Sequence, residues 1–405
     1  MAEDGSWPIV WERARGCQVW DADGRSYLDL TAAFGVAAAG HGNPAVVRAG
    51  QRQLGRLAHA MGDVHPHRLK GELARELSRL TYERWRAGAT GKCLFANSGF
   101  EAVEAALKTA RLATGRPGVI AFEGGYHGLG YGTLNVTHRD HFRRDFRNQL
   151  REFGHFVPFP TRADATAATL KAVRQALQRG TIGAVLIEPI QARGGIRVPP
   201  DGFLAQLKDL CARHDALLVL DEIYTGFGRT GRWFACEHSG VVPDLICLGK
   251  ALTGGFPSSV CVGRADVMDA WPVSTGEAIH TSTFLGHPVG CAMALAQIAE
   301  IERLGLVEQS AKLGEVLLRQ LASIPAARSP HHPRGLGLMA GLELRRADNT
   351  PAIAESLAAI KRLLHRGYIF LPEGEHANVI SFTPPLTITE AQLAEAVKAL
   401  EAVLT

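Results

Sequence analysis

Short, almost wholly apolar runs recur through the middle of this chain, each separated from the next by a segment of helical character. Ile182 to Ile187, Leu217 to Leu220, Leu245 to Leu248 and Ser259 to Val262 are the clearest. A strand without polar alternation has both faces covered, and interleaved helices supply the cover. The pattern predicts an α/β fold with a mostly parallel sheet and helices on both faces. Such sheets bind ligands beyond the carboxyl ends of their strands.

The predicted helices are about 100–113, 167–179 and 203–214. In the first, Val103, Ala106, Leu107 and Ala110 fall at helical spacing. Its acids, Glu101 and Glu104, come early and its bases, Lys108 and Arg111, late, as the helix dipole favours. After Gly305 the pattern changes to amphipathic helices over about 307–323, 351–365 and 389–403, with strands near 338–344 and 378–382. The expected division is an N-terminal arm (1–54), a large domain (55–304) and a smaller α+β C-terminal domain (305–405). The total of 405 residues fits two or three units at roughly 150 residues each.

Composition narrows the function classes. With 46% hydrophobic and 21% charged residues the chain is not a disordered one. Lys and Arg number 44 against 40 Asp and Glu, a net charge of +4 too small and too spread to imply nucleic acid. The first residues, Met-Ala-Glu-Asp-Gly-Ser-Trp-Pro, lack the basic and apolar regions of a signal peptide, and no apolar run approaches the ~20 residues of a membrane span. Seven cysteines contain no CxxC pair. Their odd number fits reduced thiols, so a cytoplasmic location is expected. Histidines and cysteines recur at no zinc spacing, and no metal is expected.

Three features stand where the sheet would open. The strand ending at Leu220 runs into Asp221-Glu222, and the next strand is followed by Gly249-Lys250-Ala251-Leu252. Asn97-Ser98-Gly99-Phe100 opens the helix near 100–113, and a helix start offers free N–H groups and a positive dipole end to phosphate. Singly, each has a plainer reading: a surface lysine before a turn, an N-cap serine. Together they place a phosphate cradle, a carboxylate and an amine around one crevice.

In this conjunction the chain resembles the class III, fold type I aminotransferases that depend on pyridoxal phosphate. The matching segments run in the family's order. They include Asp21-Ala22-Asp23-Gly24-Arg25-Ser26-Tyr27-Leu28-Asp29, Gly40-His41-Gly42-Asn43-Pro44, Gly125-Tyr126-His127-Gly128 and Glu188-Pro189-Ile190-Gln191. The longest is Asp221-Glu222-Ile223-Tyr224-Thr225-Gly226-Phe227-Gly228-Arg229-Thr230-Gly231, and Ser282-Thr283-Phe284 and Pro384-Pro385-Leu386 follow it.

The resemblance implies that Lys250 is the Schiff-base lysine, carrying the cofactor as an aldimine, and that Asp221 keeps the pyridine nitrogen protonated. It places Tyr126 on one ring face and Ile223 on the other, with His127 and Glu188 among the cofactor contacts and Gln191 nearby. Ser98, Gly99 and the backbone N–H of Phe100 would hold the phosphate. Thr283 would reach the phosphate of a neighbouring subunit, which implies a homodimer with shared sites. The activity implied is transfer of an amino group from an amine or amino acid to a 2-oxo acid. An amino-acid racemase, epimerase or aminomutase on the same fold is the alternative.

Departures from the family pattern bear on substrate. Phe100 replaces a small residue, and Tyr224 stands where many members have Gln. Where members acting on 4-aminobutyrate or ornithine-type substrates carry Arg, Glu and Arg, this chain has Leu129, Arg193 and Ser381. The expectation is a donor other than 4-aminobutyrate, ornithine or acetylornithine, with Arg193 meeting the oxo acid's carboxylate. Gly226 to Gly231 also spells GxGxxG, but it follows its strand too late for a dinucleotide fingerprint.

Overall fold

The computed structural model describes residues 9–85, 88–325 and 330–404. Its centre is a seven-stranded sheet in the order Gly91–Ala96, Ser259–Arg264, Leu245–Leu248, Leu217–Asp221, Ile182–Ile187, Gly118–Phe122, Gly154–Val157. Ser259–Arg264 runs antiparallel to both its neighbours. The other ladders are parallel.

Alternate residues of one strand enter different cores. Ala184, Leu186, Val219 and Cys247 face the core built on helix Gly99–Thr114. Val185, Ile187, Leu218 and Leu220 face the core that includes Phe203, Leu207 and Cys211 of helix Phe203–Arg213. Strand side chains alternate between faces, so a continuous apolar run is what two covered faces require. Helix Gly99–Thr114 buries Ala102, Ala105, Ala106 and Ala110. These small side chains let it lie close across the sheet.

Register then fixes the site. Ile187 pairs with Leu220, and Asp221 with Cys247. Glu188, Asp221 and Lys250 therefore leave three adjacent strand ends on the same edge. Gly226 to Gly231 lies in turns, and the next helical element is the short 3-10 turn Ala235–Ser239.

The C-terminal part holds an antiparallel sheet in the order His331–Leu336, Met339–Leu344, Val379–Phe382, Leu371–Glu373. Helices Leu306–Ala322, Ile353–His365 and Glu390–Leu404 accompany it. Near the N-terminus, Trp11–Arg15, Gln18–Asp21 and Ser26–Asp29 form a sheet that also takes in Tyr368–Ile369. Among the described residues no helix is long and apolar enough to cross a membrane.

Candidate active site

A cleft of about 330 Å³ opens at the strand ends, lined by Gly99, Tyr126, His127, Glu188, Arg193, Asp221, Ile223, Tyr224 and Lys250 among others. Asp221 and His127 are 5% and 2% exposed, and His127 Nδ1 lies 2.8 Å from Asp221 Oδ2. The carboxylate's other oxygen accepts the Ile223 N–H at 3.2 Å. His127 is itself fixed by its backbone N–H, which donates to Thr137 Oγ1 at 3.0 Å. A carboxylate held this way is ready to accept a further N–H at a fixed point in the cleft.

Glu188 lies beside it, accepting the N–H of Tyr126 at 2.9 Å and of Ala192 at 3.1 Å. Burial pushes its carboxyl up to about 7, against the pull of His127. Glu188 thus ties the Tyr126 loop to the loop carrying Arg193.

Lys250 occupies the left-handed region at φ 42°, a backbone conformation that costs a non-glycine residue ~1–3 kcal/mol and marks functional turns. Burial lowers its pKa, while Asp221, Glu188 and Glu373 raise it and Arg193 lowers it. A fraction of neutral amine is what nucleophilic work requires. Its Nζ lies over the Tyr224 ring, 4.3 Å from the centroid.

The start of helix Gly99–Thr114 forms one wall. Ser98 Oγ donates to Glu101 Oε2 at 3.0 Å, and that oxygen also accepts the N–H groups of Asn97 and Ser98 at 2.9 and 2.8 Å. The N–H groups of Gly99 and Phe100 are left facing outward from the helix start. A Cβ at Gly99 would come within 3.0 Å of Ile223 Cδ1. Glycine therefore lets the helix start approach the wall that Ile223 makes. Phe100 is 36% exposed, its side chain outside the buried core.

The mouth of the cleft is looser. Arg193 stacks 5.5 Å from the Tyr126 ring centroid, and its Nε, 3.7 Å from Glu373 Oε2, has no hydrogen-bond partner among the described residues. Leu129 lines the cleft and is largely exposed. Ser381 does not line it. Ser381 sits in strand Val379–Phe382 and gives its hydroxyl to the Leu371 carbonyl at 3.0 Å. Gln191 likewise turns away, donating Nε2 to the Glu123 carbonyl at 2.9 Å. Thr283 is exposed in a loop whose Ser282 Oγ accepts from Asn97 Nδ2 at 3.3 Å.

Sequence reasoning missed Glu373 and Arg139. Glu373 is 4% exposed, and burial pushes its carboxyl up to about 7 although Arg193, Arg139 and Lys250 all pull it down. Arg139 donates to the Arg193 carbonyl. Neither stands near a recognisable motif, and only the tertiary fold brings them to Arg193. Phe142, edge-on to Tyr126 at 5.5 Å, was equally invisible.

Comparison with known proteins gives a consistent result. The family model described as aminotransferase class-III matches residues 1–404. The 5-aminovalerate aminotransferase DavT of Pseudomonas aeruginosa is 38% identical over 397 residues, covering 95% of this chain and 91% of the relative. The acetylornithine aminotransferase of Methanopyrus kandleri is 36% identical over 393 residues, covering 97% and 93%. Among solved structures, an amine transaminase from an uncultivated Pseudomonas species matches with a TM-score of 0.90 at 30% identity, covering 100% of this chain and 96% of that one.

Proposed function

The chain belongs to the class III aminotransferase family, a family of pyridoxal-phosphate-dependent transaminases, and from that premise we propose how its own residues divide the work. The convergence of Lys250, Asp221 with His127, and Glu188 at three neighbouring strand ends carries this reading.

The residues fit the cofactor. The cleft combines an amine of lowered pKa, a buried carboxylate with an oxygen lobe to spare, and a helix start that a Cβ would crowd. When bound, pyridoxal phosphate supplies an electron sink for the electron pair left when a substrate proton departs. Lys250 is the residue that holds the cofactor and later takes that proton from the substrate carbon, acting as general base. Asp221, oriented by His127, keeps a proton on the ring nitrogen. Tyr126 and Ile223 bound the two faces of the ring. The N–H groups of Gly99 and Phe100, with Ser98, take the phosphate.

For substrate, we read Leu129 and Ser381 as the loss of two guanidinium clamps, each charge-assisted bond worth ~1.5–3 kcal/mol. The donor is then an amine or amino acid other than 4-aminobutyrate, ornithine or acetylornithine, and Arg193 receives the carboxylate of a 2-oxo acid acceptor. Its side chain, 35% exposed where it lines the cleft, supports that role. The test is a half-reaction screen, in which single amines are added to the holoenzyme and the cofactor's absorbance is followed. Uncharged or apolar amines should convert it, and rapid conversion by 4-aminobutyrate overturns the exclusion. Loss of substrate chirality without cofactor conversion would instead favour the racemase reading, which the named relatives do not support.

A homodimer sharing its sites through Thr283 belongs to the same proposal, and an active monomer in sedimentation would end it. So do the three-part division at 54 and 304, supported by three separate sheets, and a cytoplasmic location, supported by seven free cysteines. Against a fully separate arm, its sheet takes in Tyr368–Ile369.

A further inference from the structure

Tyr224 lines the cleft beside Lys250 and is buried, yet it has no part in the cofactor chemistry so far assigned to the cleft. Its phenol has turned away from the cleft. The hydroxyl lies 3.1 Å from Thr383 Oγ1, and Thr383 gives its own proton to the Thr31 carbonyl at 3.3 Å. Burial pushes the phenol up to about 12, with Thr383, Arg229 and Arg193 pulling down and Glu373 pushing up, so the ring stays neutral.

The ring is also fixed at its edge. Residues Ala32 to Gly35 form a left-handed turn, with φ of 47°, 50°, 62° and 79°. At Gly35 a Cβ would stand 2.8 Å from Tyr224 Cε1, so only glycine lets this turn close on the ring. Three non-glycine residues, Ala32, Ala33 and Phe34, hold a costly conformation in the turn whose Gly35 packs on this ring. What the braced face presents is its π surface, 4.3 Å from Lys250 Nζ. That lies inside the ~6 Å over which an ammonium is drawn to an aromatic face. Among the described residues Nζ has no hydrogen-bond acceptor, and the ring face stands in for one.

We propose that Tyr224 is a positioning residue for Lys250, its ring being the seat on which the ε-amino group rests whenever that group is not covalently engaged. On this seat the ammonium form persists to a higher pH than the cleft would otherwise allow. Asp221, Glu188 and Glu373 act in the same direction, and Arg193 and desolvation act against it. The amine must be neutral to attack and protonated to pass a proton on, so the ring sets where one state gives way to the other. The inference rests on Lys250 being the cofactor lysine.

The test uses the full chain freed of cofactor and acylated with acetic anhydride over a range of pH, with the Lys250 peptide followed by mass spectrometry. Its acylation rate tracks the neutral amine. Tyr224→Leu should move the midpoint down by roughly half to one and a half pH units, whereas Tyr224→Phe, which keeps the ring, should leave it near the wild-type value. A wild-type midpoint in Tyr224→Leu overturns the proposal, and so does an equal displacement in Tyr224→Phe, which would make the hydroxyl the active part. If the leucine variant does not fold, Tyr224→Met, which also lacks both the ring and a strong acceptor, is read in the same way. Failure of the underlying reading looks different: borohydride would then fix the cofactor to some residue other than Lys250, whatever the midpoints.

Discussion

At the sheet end of the cleft, His127 meets Asp221 at 2.8 Å with both groups shielded from solvent, whereas at the mouth Arg193 comes no nearer than 3.7 Å to Glu373 and Leu129 is 48% exposed. The first region hangs on adjacent strand ends, where register and two packed cores leave little freedom of position. The second hangs on the loops around Leu129 and Arg193 and on an edge strand of the C-terminal sheet. On the proposed reading, rigid elements carry the chemistry that every substrate shares, and loops carry the choice among substrates. Damage at the sheet end should therefore reach every substrate, and damage at the mouth should discriminate.

The largest effect expected in testing this contrast is that of Asp221→Asn. The amide keeps its shape but no longer stabilises a protonated ring nitrogen, and proton removal should slow about 10²- to 10³-fold for all donors alike. Single-turnover rates read it. A loss confined to one donor would erase the distinction between the two regions.

Arg193→Ala should act on one substrate class. Acceptors carrying a carboxylate should lose roughly 10- to 100-fold in kcat/KM, while the half-reaction with an uncharged amine donor should hardly change. Pyruvate and 2-oxoglutarate with a fixed donor make the comparison. Unchanged KM for both removes Arg193 from the site.

The smallest effect concerns stability. Burial raises Glu373 from an ordinary 4.5 to about 7. Between those values the folded chain keeps a proton that the unfolded chain has lost, so folding weakens as pH rises through the window. Glu373→Gln has no such proton to lose. Its melting temperature should gain on the wild type by a few degrees between pH 5 and pH 8. A constant difference across that range would mean that Glu373 is ionised throughout, permanently paired with its arginines.

The same two regions differ in how far the sequence discloses them. Asp221 and Lys250 are legible because each directly follows an apolar run, and a strand end is where an α/β sheet opens. Strand Ile182–Ile187 and helix Phe203–Arg213 match their expected limits to within a residue for the same reason, strong periodicity. Helix Pro288–Arg303 had no such signal. It buries Val289, Cys291, Ala294, Gln297, Ile298, Glu300 and Ile301, which spread round much of its circumference instead of forming one stripe. The pairing of Ser26–Asp29 with Tyr368–Ile369 is closed by residues far apart in the chain, and nothing local announces it. Glu373 was hidden likewise, in a three-residue strand next to a turn. The hydrogen bond between His127 and Asp221 lies between these cases: both residues stand in matched segments, but their meeting is a product of the fold.

That Lys250 carries the cofactor can be tested directly by reducing the holoenzyme with borohydride, digesting it and locating the added mass. The predicted result is a pyridoxyl group on the peptide containing Lys250 and on no other. The same mass on a different lysine, or a holoenzyme whose cofactor washes out without becoming fixed to the chain, would contradict it.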